Sequence, residues 1–156
     1  MVVVLHNIRS MHNVGSIFRT ADAAGCEKIY LCGITPGPLD RFGRPNQKLL
    51  KVSLGAERYM PWERSRLTMG LLDKLKVKGY RILAVEQSKN SISLYKMKPL
   101  RSKSTKCVLV VGNEINGLSP ALLKRADKVI EIPMRGKKES LNVAVAFGIA
   151  VFYLLR

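Results

Sequence analysis

Apolar residues in this chain fall into short unbroken runs that alternate with stretches at helical spacing. Residues 2–5, VVVL, open the series, and KIYLCG (28–33), RILAVEQ (81–87), CVLVVG (107–112) and KVIEIP (128–133) continue it. Runs without polar alternation are what strands covered on both faces show, as in a parallel sheet. Between them, residues 13–24 (NVGSIFRTADAA) suit a helix stopped by Gly25, and residues 65–79 (SRLTMGLLDKLKVKG) carry apolar positions at helical spacing and end on glycine. Residues 119–126 (SPALLKRA) predict a helix with Ser119 at the N-cap and Pro120 at the first helical position. Residues 140–155 (SLNVAVAFGIAVFYLL) predict the most apolar helix, one buried in the core.

Residues 36–46, PGPLDRFGRPN, are dense in proline and glycine and read as a loop. The stretch KNSISLYKMKPLRSKSTK (89–106) is polar, basic and loop-like, and QKLLKVSLGAE (47–57) is ambiguous. Strands alternating with helices predict an α/β fold, a mostly parallel sheet flanked by helices. No repeat or linker interrupts the pattern, so residues 1–156 are expected to form a single domain. Parallel sheets bind ligands at the carboxyl ends of their strands. Loops 6–13, 112–118 and 134–140 are therefore expected to converge.

Composition narrows the function. The chain has 156 residues, 47% of them hydrophobic, enough for a core without metals or disulfides. Its 27 Lys and Arg against 11 Asp and Glu give a net charge of +16, which favours a polyanionic partner, nucleic acid before an anionic membrane. Cys26, Cys32 and Cys107 form no CxxC pair, and there are only two histidines. That count predicts reduced thiols in a cytoplasmic setting, with no structural zinc. No leader is read at the start, because His6 and Asn7 end the first apolar run. The last helix falls short of the roughly 18 apolar residues of a membrane span.

Three segments carry candidate chemistry. In HNIRSMHNVGSIFRTADAAG (6–25), Asn13 and Arg19 are six apart, nearly two helical turns, which would set both on one side of a helix. Gly15 between them permits close approach by another backbone. The plainer reading is a capping Asn and a surface Arg. In VVGNEINGLS (110–119), a strand runs into a turn holding Gly112 and Gly117 with Glu114 between. It lacks the GxGxxG spacing and the Lys-Ser/Thr of a phosphate loop, and a carboxylate would repel phosphate. It suits a neutral or cationic ligand, although Glu114 also fits a solvated turn. In IPMRGKKESLNVAVA (132–146), Ser140 is the expected N-cap. Asn142 then falls inside the first turn of an apolar helix, where its amide is costly unless paired, and this predicts a site at the helix start.

Taken in order, NVGSIFRTADAAG, GNEINGLS and IPMRGKKESLNVAVA resemble the three motifs of the SpoU-type RNA ribose 2′-O-methyltransferases of the SPOUT superfamily, and VSLGAE (52–57) is similar as well. The likeness covers essentially the whole chain; Cys26 and the alanines of NVAVA are small departures. The resemblance implies a C-terminal deep trefoil knot, a homodimer packed through the last helix and the first motif's helix, and S-adenosylmethionine as cofactor. It implies an RNA substrate, tRNA slightly before rRNA, and no metal or membrane. By motif position the catalytic set is Asn13, Arg19, Glu114, Ser140 and Asn142. The cofactor set is Val85, Glu86, Gln87, Gly112, Asn113, Gly117, Ile132, Met134, Ser140 and Leu141. RNA is expected on Arg9, Arg41, Arg44, Lys48, Arg58 and the basic 98–106 stretch.

The family assigns a general base at the position of Arg19. A guanidinium has a pKa above about 12, so the alternative is that Arg19 stays cationic and stabilises developing negative charge. Three rival readings are an inactive RNA-binding module of the same fold, an ordinary dinucleotide-binding enzyme, and a membrane-surface protein. The motif residues, the missing GxGxxG and the absence of a basic amphipathic helix weigh against them in turn.

Overall fold

The two most apolar runs lie side by side at the centre of one sheet. The computed structural model describes residues 1–100 and 105–156. Its strands are β1 (Val2–His6), β2 (Lys28–Cys32), β3 (Trp62–Ser65), β4 (Arg81–Val85), β5 (Ile92–Ser93), β6 (Cys107–Val111) and β7 (Lys128–Glu131). They are ordered β3-β2-β1-β6-β4-β7-β5, and each neighbouring pair is parallel. Central β1 pairs Val2 with Val108 and Leu5 with Val111. All five residues of β6 are buried, which is why that run shows no polar alternation.

Five helices cover the sheet: α1 (Met11–Ala23), α2 (Gln47–Ser53), α3 (Thr68–Val77), α4 (Pro120–Leu123) and α5 (Val143–Leu155). On one face Val3, Leu5, Leu83, Leu109 and Val111 pack with Ile17 and Phe18 of α1 and with Phe147 and Val151 of α5. On the other, Val2, Val4, Ile82, Val108 and Val110 pack with Leu72 and Leu75 of α3 and Leu122 of α4. Each fully buried large side chain contributes about 1.5–3 kcal/mol, so the alternating sides of the central strands anchor both layers. A Cβ on Gly15 of α1 would stand 2.7 Å from the Leu49 carbonyl oxygen of α2, so the glycine is what lets those helices touch.

Several boundaries differ from the pattern-based expectation. The first helix begins at Met11, and Ser10 caps it by accepting from the Asn13 amide at 3.2 Å; Asn13 is not the cap. The ambiguous 47–57 stretch becomes α2 followed by a short 3-10 turn, Ala56–Arg58. The stretch 65–79 is helical only from Thr68, because Trp62–Ser65 is an edge strand against β2. The 119–126 segment keeps a single turn of helix, with Ser119 making no capping bond. The 89–106 segment contains the two-residue β5; within it, residues 101–104 lie outside the described residues.

The last helix carries two corrections. Ser140 is not its N-cap. Asn142 is, accepting from the amides of Ala144 at 2.9 Å and Val145 at 3.4 Å. Nor is the helix buried all round. Phe147, Ala150, Val151 and Leu154 form the buried stripe, while Val145, Ile149 and Phe152 stand exposed.

Candidate active site

The loops after β1 and β6 and the start of α5 meet at the carboxyl end of the sheet. Asn113 ties the first two together. Its Nδ2 donates to the Asn7 carbonyl at 2.7 Å, and its Oδ1 accepts from the amides of Ile115 and Asn116, both at 2.9 Å. The turn then closes with the Gly117 amide on the Asn113 carbonyl at 3.0 Å. Closure depends on the two glycines. A Cβ on Gly112 would stand 2.6 Å from the Gly117 carbonyl carbon, and Gly117 holds φ +60°, where an added Cβ would strike the Glu86 carboxylate.

Glu114 projects from this turn onto the first helix. Oε2 accepts from the Arg9 amide at 2.9 Å; Oε1 accepts from the Ser10 amide at 3.0 Å and from Asn13 Nδ2 at 2.9 Å. Partial burial disfavours its charge, but the Arg9 amide, the Asn13 side chain and the Ser10 amide outweigh that and hold the carboxyl below its ordinary range. Asn13 Oδ1 in turn accepts from Asn142 Nδ2 at 3.0 Å. Asn13, Glu114 and Asn142 therefore form one hydrogen-bonded chain drawn from three motifs.

Beside this chain lies a cavity of about 270 Å³ at the ends of β4, β6 and β7. Val85, Glu86, Gln87, Gly112, Asn113, Gly117, Ile132, Met134, Ser140 and Leu141 all line it, together with Glu114 and Asn142. Sequence reasoning missed Val111, Ile115, Glu131, Val143 and Ala146, which line it too. Ile115, Val143 and Ala146 are apolar residues inside the motifs and Val111 adjoins one; Glu131 ends β7 and is held by the Ser91 hydroxyl at 2.6 Å. Gln87 fastens the rim by donating to the Glu139 carbonyl at 2.6 Å.

Electrostatics bear on what fits there. In a chain of net charge +16, the lining carries three carboxylates, Glu86, Glu114 and Glu131, and no Lys or Arg. The rest of the wall is mainly apolar, with Ile115, Ile132, Met134, Leu141 and Val143. A compact ligand with a cationic centre and a flat apolar part fits such a donor set; a phosphate does not.

Arg19 stands apart. Six residues turn an ideal helix by about 600°, which leaves Asn13 and Arg19 about 120° apart rather than on one side. Arg19 is exposed, does not line the cavity and has no hydrogen-bond or ion-pair partner among the described residues. Arg9, Arg41, Arg44, Lys48 and Arg58, expected to contact RNA, are on the surface. Arg41 and Arg44 flank the Phe42 ring at 4.7 and 4.9 Å, and Arg44 also pairs with Asp40 at 2.9 Å. Arg9, Lys48 and Arg58 are exposed; Arg58 lies 3.8 Å from Glu57. Of the 98–106 stretch, Arg101 and Lys103 lie outside the described residues. Among the described residues no helix is long and apolar enough to cross a membrane, and no three His, Cys, Asp or Glu gather as a metal site.

A family model described as the SpoU rRNA Methylase family matches residues 1–152. The chain belongs to this family. SpoU methylase relatives share both the sequence and the architecture. A tRNA (guanosine(18)-2′-O)-methyltransferase of Aquifex aeolicus is 33% identical over 97% of this chain and 67% of its own length. An AdoMet-bound rRNA methyltransferase from Sinorhizobium meliloti superposes with a TM-score of 0.85 at 31% identity, over 98% of this chain and 54% of that one. A structure described as giving insight into 2-OH methylation of C/U34 on tRNA superposes at 0.79 with 27% identity, over 98% of this chain and 92% of that one. Against other curated SpoU relatives the chain spans little more than half their length, 57% and 58%.

Proposed function

We propose that this chain is an S-adenosylmethionine-dependent methyltransferase that modifies a ribose 2′-hydroxyl in structured RNA, tRNA in preference to rRNA. The observation that carries the reading is the Asn13–Glu114–Asn142 chain at the rim of an acidic, cation-free cavity in a strongly basic protein. The named activities of the Aquifex and Sinorhizobium relatives support it, and the tRNA named for the Aquifex relative and for the C/U34 structure supports the preference for tRNA.

The chemistry the cofactor supplies when bound is an electrophilic methyl group. The apolar wall of Ile132, Met134 and Leu141 and the backbone of the Gly112–Gly117 turn would hold it, in a cavity whose carboxylates suit a cationic ligand. Asn13, Ser140 and Asn142 would orient the sugar so that its 2′-oxygen can attack the methyl group, a positioning contribution to the rate. Glu114 is a poor base, since its charge is stabilised and three donors occupy its oxygens. Its work is to fix Asn13. Arg19 stays cationic and stabilises the developing alkoxide or its neighbouring phosphate.

The same reading includes a homodimer, a knot and a cytoplasmic setting. The exposed apolar stripe of Val145, Ile149 and Phe152 on α5 supports the dimer. In such a dimer Arg19 of one protomer meets RNA that spans both. A knot is supported by contacts between the 95–100 segment and the end of α5. Leu100 donates to the Leu154 carbonyl at 2.8 Å, and the Tyr153 hydroxyl donates to the Tyr95 carbonyl at 2.8 Å. Three buried free cysteines accord with a reducing compartment.

The test is transfer of labelled methyl groups from S-adenosylmethionine to purified tRNA and rRNA, followed by mapping of the 2′-O-methyl position. Calorimetric binding of the cofactor without any transfer would instead identify a non-catalytic RNA-binding relative. No cofactor binding would sink the reading.

A further inference from the structure

A second cleft, of about 580 Å³, opens on the far side of the 113–117 turn. Asn113 and Gly117 line both cavities, so this turn is the wall between them. The cleft's remaining walls are His6 and Asn7 at the end of β1, Arg9, Ile34, Asn116 and Ser119. Its place in the sheet is telling. In the order β3-β2-β1-β6-β4-β7-β5, β2 and β3 lie on one side of β1, while β6, β4, β7 and β5 lie on the other. Open α/β sheets bind ligands beyond the carboxyl ends of strands where the chain changes sides. The acidic cavity lies at the ends of β4, β6 and β7, and the second cleft lies beside it at the end of β1.

The lining has the opposite character to the first cavity. Arg9 is its one permanently charged side chain, and it contains no carboxylate. Among the described residues the Asn116 side-chain amide, the Ser119 hydroxyl and the Arg9 guanidinium have no hydrogen-bond partner, although Ser119 holds an N-cap position where its hydroxyl would ordinarily bond the helix. The floor is stiff. Asn7 adopts φ +54°, rare for a residue with a side chain, and is pinned there by Nδ2 to His6 Nε2 at 3.1 Å and by Oδ1 accepting from the Ile34 amide at 3.1 Å. Strained, over-determined backbone of this kind concentrates at binding sites. Ile34, 66% exposed, offers an apolar surface beside these polar groups.

We infer that this cleft holds the base of the acceptor nucleotide, turned out of its stack, while its ribose lies over the Asn13–Glu114–Asn142 chain. The inference rests on the RNA methyltransferase reading above. An asparagine amide presents a donor and an acceptor in one plane and matches the edge of a nucleobase. Ile34 packs against the ring, and Arg9 takes a flanking phosphate or the ring face. Asn116 and Ser119 are thus specificity-determining residues placed outside the cofactor cavity.

The four nucleoside 5′-monophosphates, titrated singly into isotope-labelled protein saturated with S-adenosylhomocysteine, test this by amide chemical shifts. At least one is expected to shift the Ile34 and Asn116 signals saturably, with Asn116→Ala weakening it about ten-fold. Cofactor affinity measured by calorimetry is expected to be unchanged in Asn116→Ala and Ser119→Ala, while kcat/KM for RNA falls in both. Absence of those shifts at millimolar monophosphate overturns the inference. So does full RNA methylation in both variants, an outcome that leaves the methyltransferase reading intact. If no RNA is methylated by the unaltered protein, that reading fails, and the monophosphate shifts alone still decide whether the cleft takes a base.

Discussion

Asn142 donates its side-chain amide to the side-chain oxygen Oδ1 of Asn13 at 3.0 Å across 129 residues of sequence, while its own oxygen caps α5 through the Ala144 amide. One side chain thus starts the last helix and fastens it to the first. Asn13 passes the link to Glu114, whose carboxylate gathers the Arg9 and Ser10 amides. Capping and site assembly are separable, because the first uses the oxygen of Asn142 and the second its nitrogen.

Substitution at this position separates the two roles. Asn142→Ala is expected to lose both, lowering stability by about 1 kcal/mol and reducing methyl transfer strongly. Asn142→Asp keeps an accepting oxygen at the positive end of the helix but cannot donate to Asn13. Its melting temperature should return to the unaltered value while its activity stays low. Restored activity in the aspartate variant would show that the Asn142–Asn13 bond is dispensable.

Glu114→Gln keeps the shape and turns one acceptor into a donor facing the Arg9, Ser10 or Asn13 donors. Because the group is exposed, the expected loss is about 1 kcal/mol, at the low end for a charged hydrogen bond. The pH dependence has a definite sign. The folded carboxyl titrates below its ordinary value of 4.5, so its stabilisation is complete above that pH and fades as pH falls through the lower folded value. The stability gap between the unaltered protein and Glu114→Gln should therefore be constant near neutrality and narrow in acid. A gap that widens in acid denaturation would contradict the assignment.

The three cysteines are buried, and burial pushes each thiol up to about 11. A raised value keeps the thiol protonated at neutral pH, and the thiolate is the reactive form. A disulfide-exchange reagent at neutral pH should label none of them in the folded protein and all three in guanidinium. Rapid labelling of native protein would show that these strands open readily.

RNA affinity should fall steeply with salt, by roughly ten-fold or more between low and moderate ionic strength. Phe42, 64% exposed between Arg41 and Arg44, makes that loop tip a contact surface for an unpaired base and its phosphates. Replacing both arginines by alanine should weaken binding and reduce the salt slope by about two. Lys28→Ala is the control, since Lys28 lies on β2, outside the 41–44 loop tip. A loss from Lys28→Ala half as large as that from the double variant would mean that net charge alone governs binding.

The central strands were legible because a strand buried on both faces must be apolar throughout, and VVVL and CVLVV are. Trp62–Ser65, WERS, gave no such signal: it is an edge strand held by backbone pairing to β2, with polar side chains facing water. The last helix was read as buried on all sides because composition does not say which stripe faces the core. Its start was misplaced by two residues for a related reason, since Ser140 and Asn142 are both good caps and only the path of the entering chain selects one.

By itself, then, the sequence determined the layered α/β arrangement, the basic surface and the residue types of three motifs, all properties of local pattern and composition. Only the tertiary structure decided that Glu114 orders Asn13 and not Arg19, that Asn142 is both cap and link, and that the acidic cavity and the polar cleft share the 113–117 turn as a wall. Those are relations between atoms brought together from distant parts of the chain. Spacing along one helix cannot fix them, because packing sets both the rotation of each side chain and the neighbour it meets.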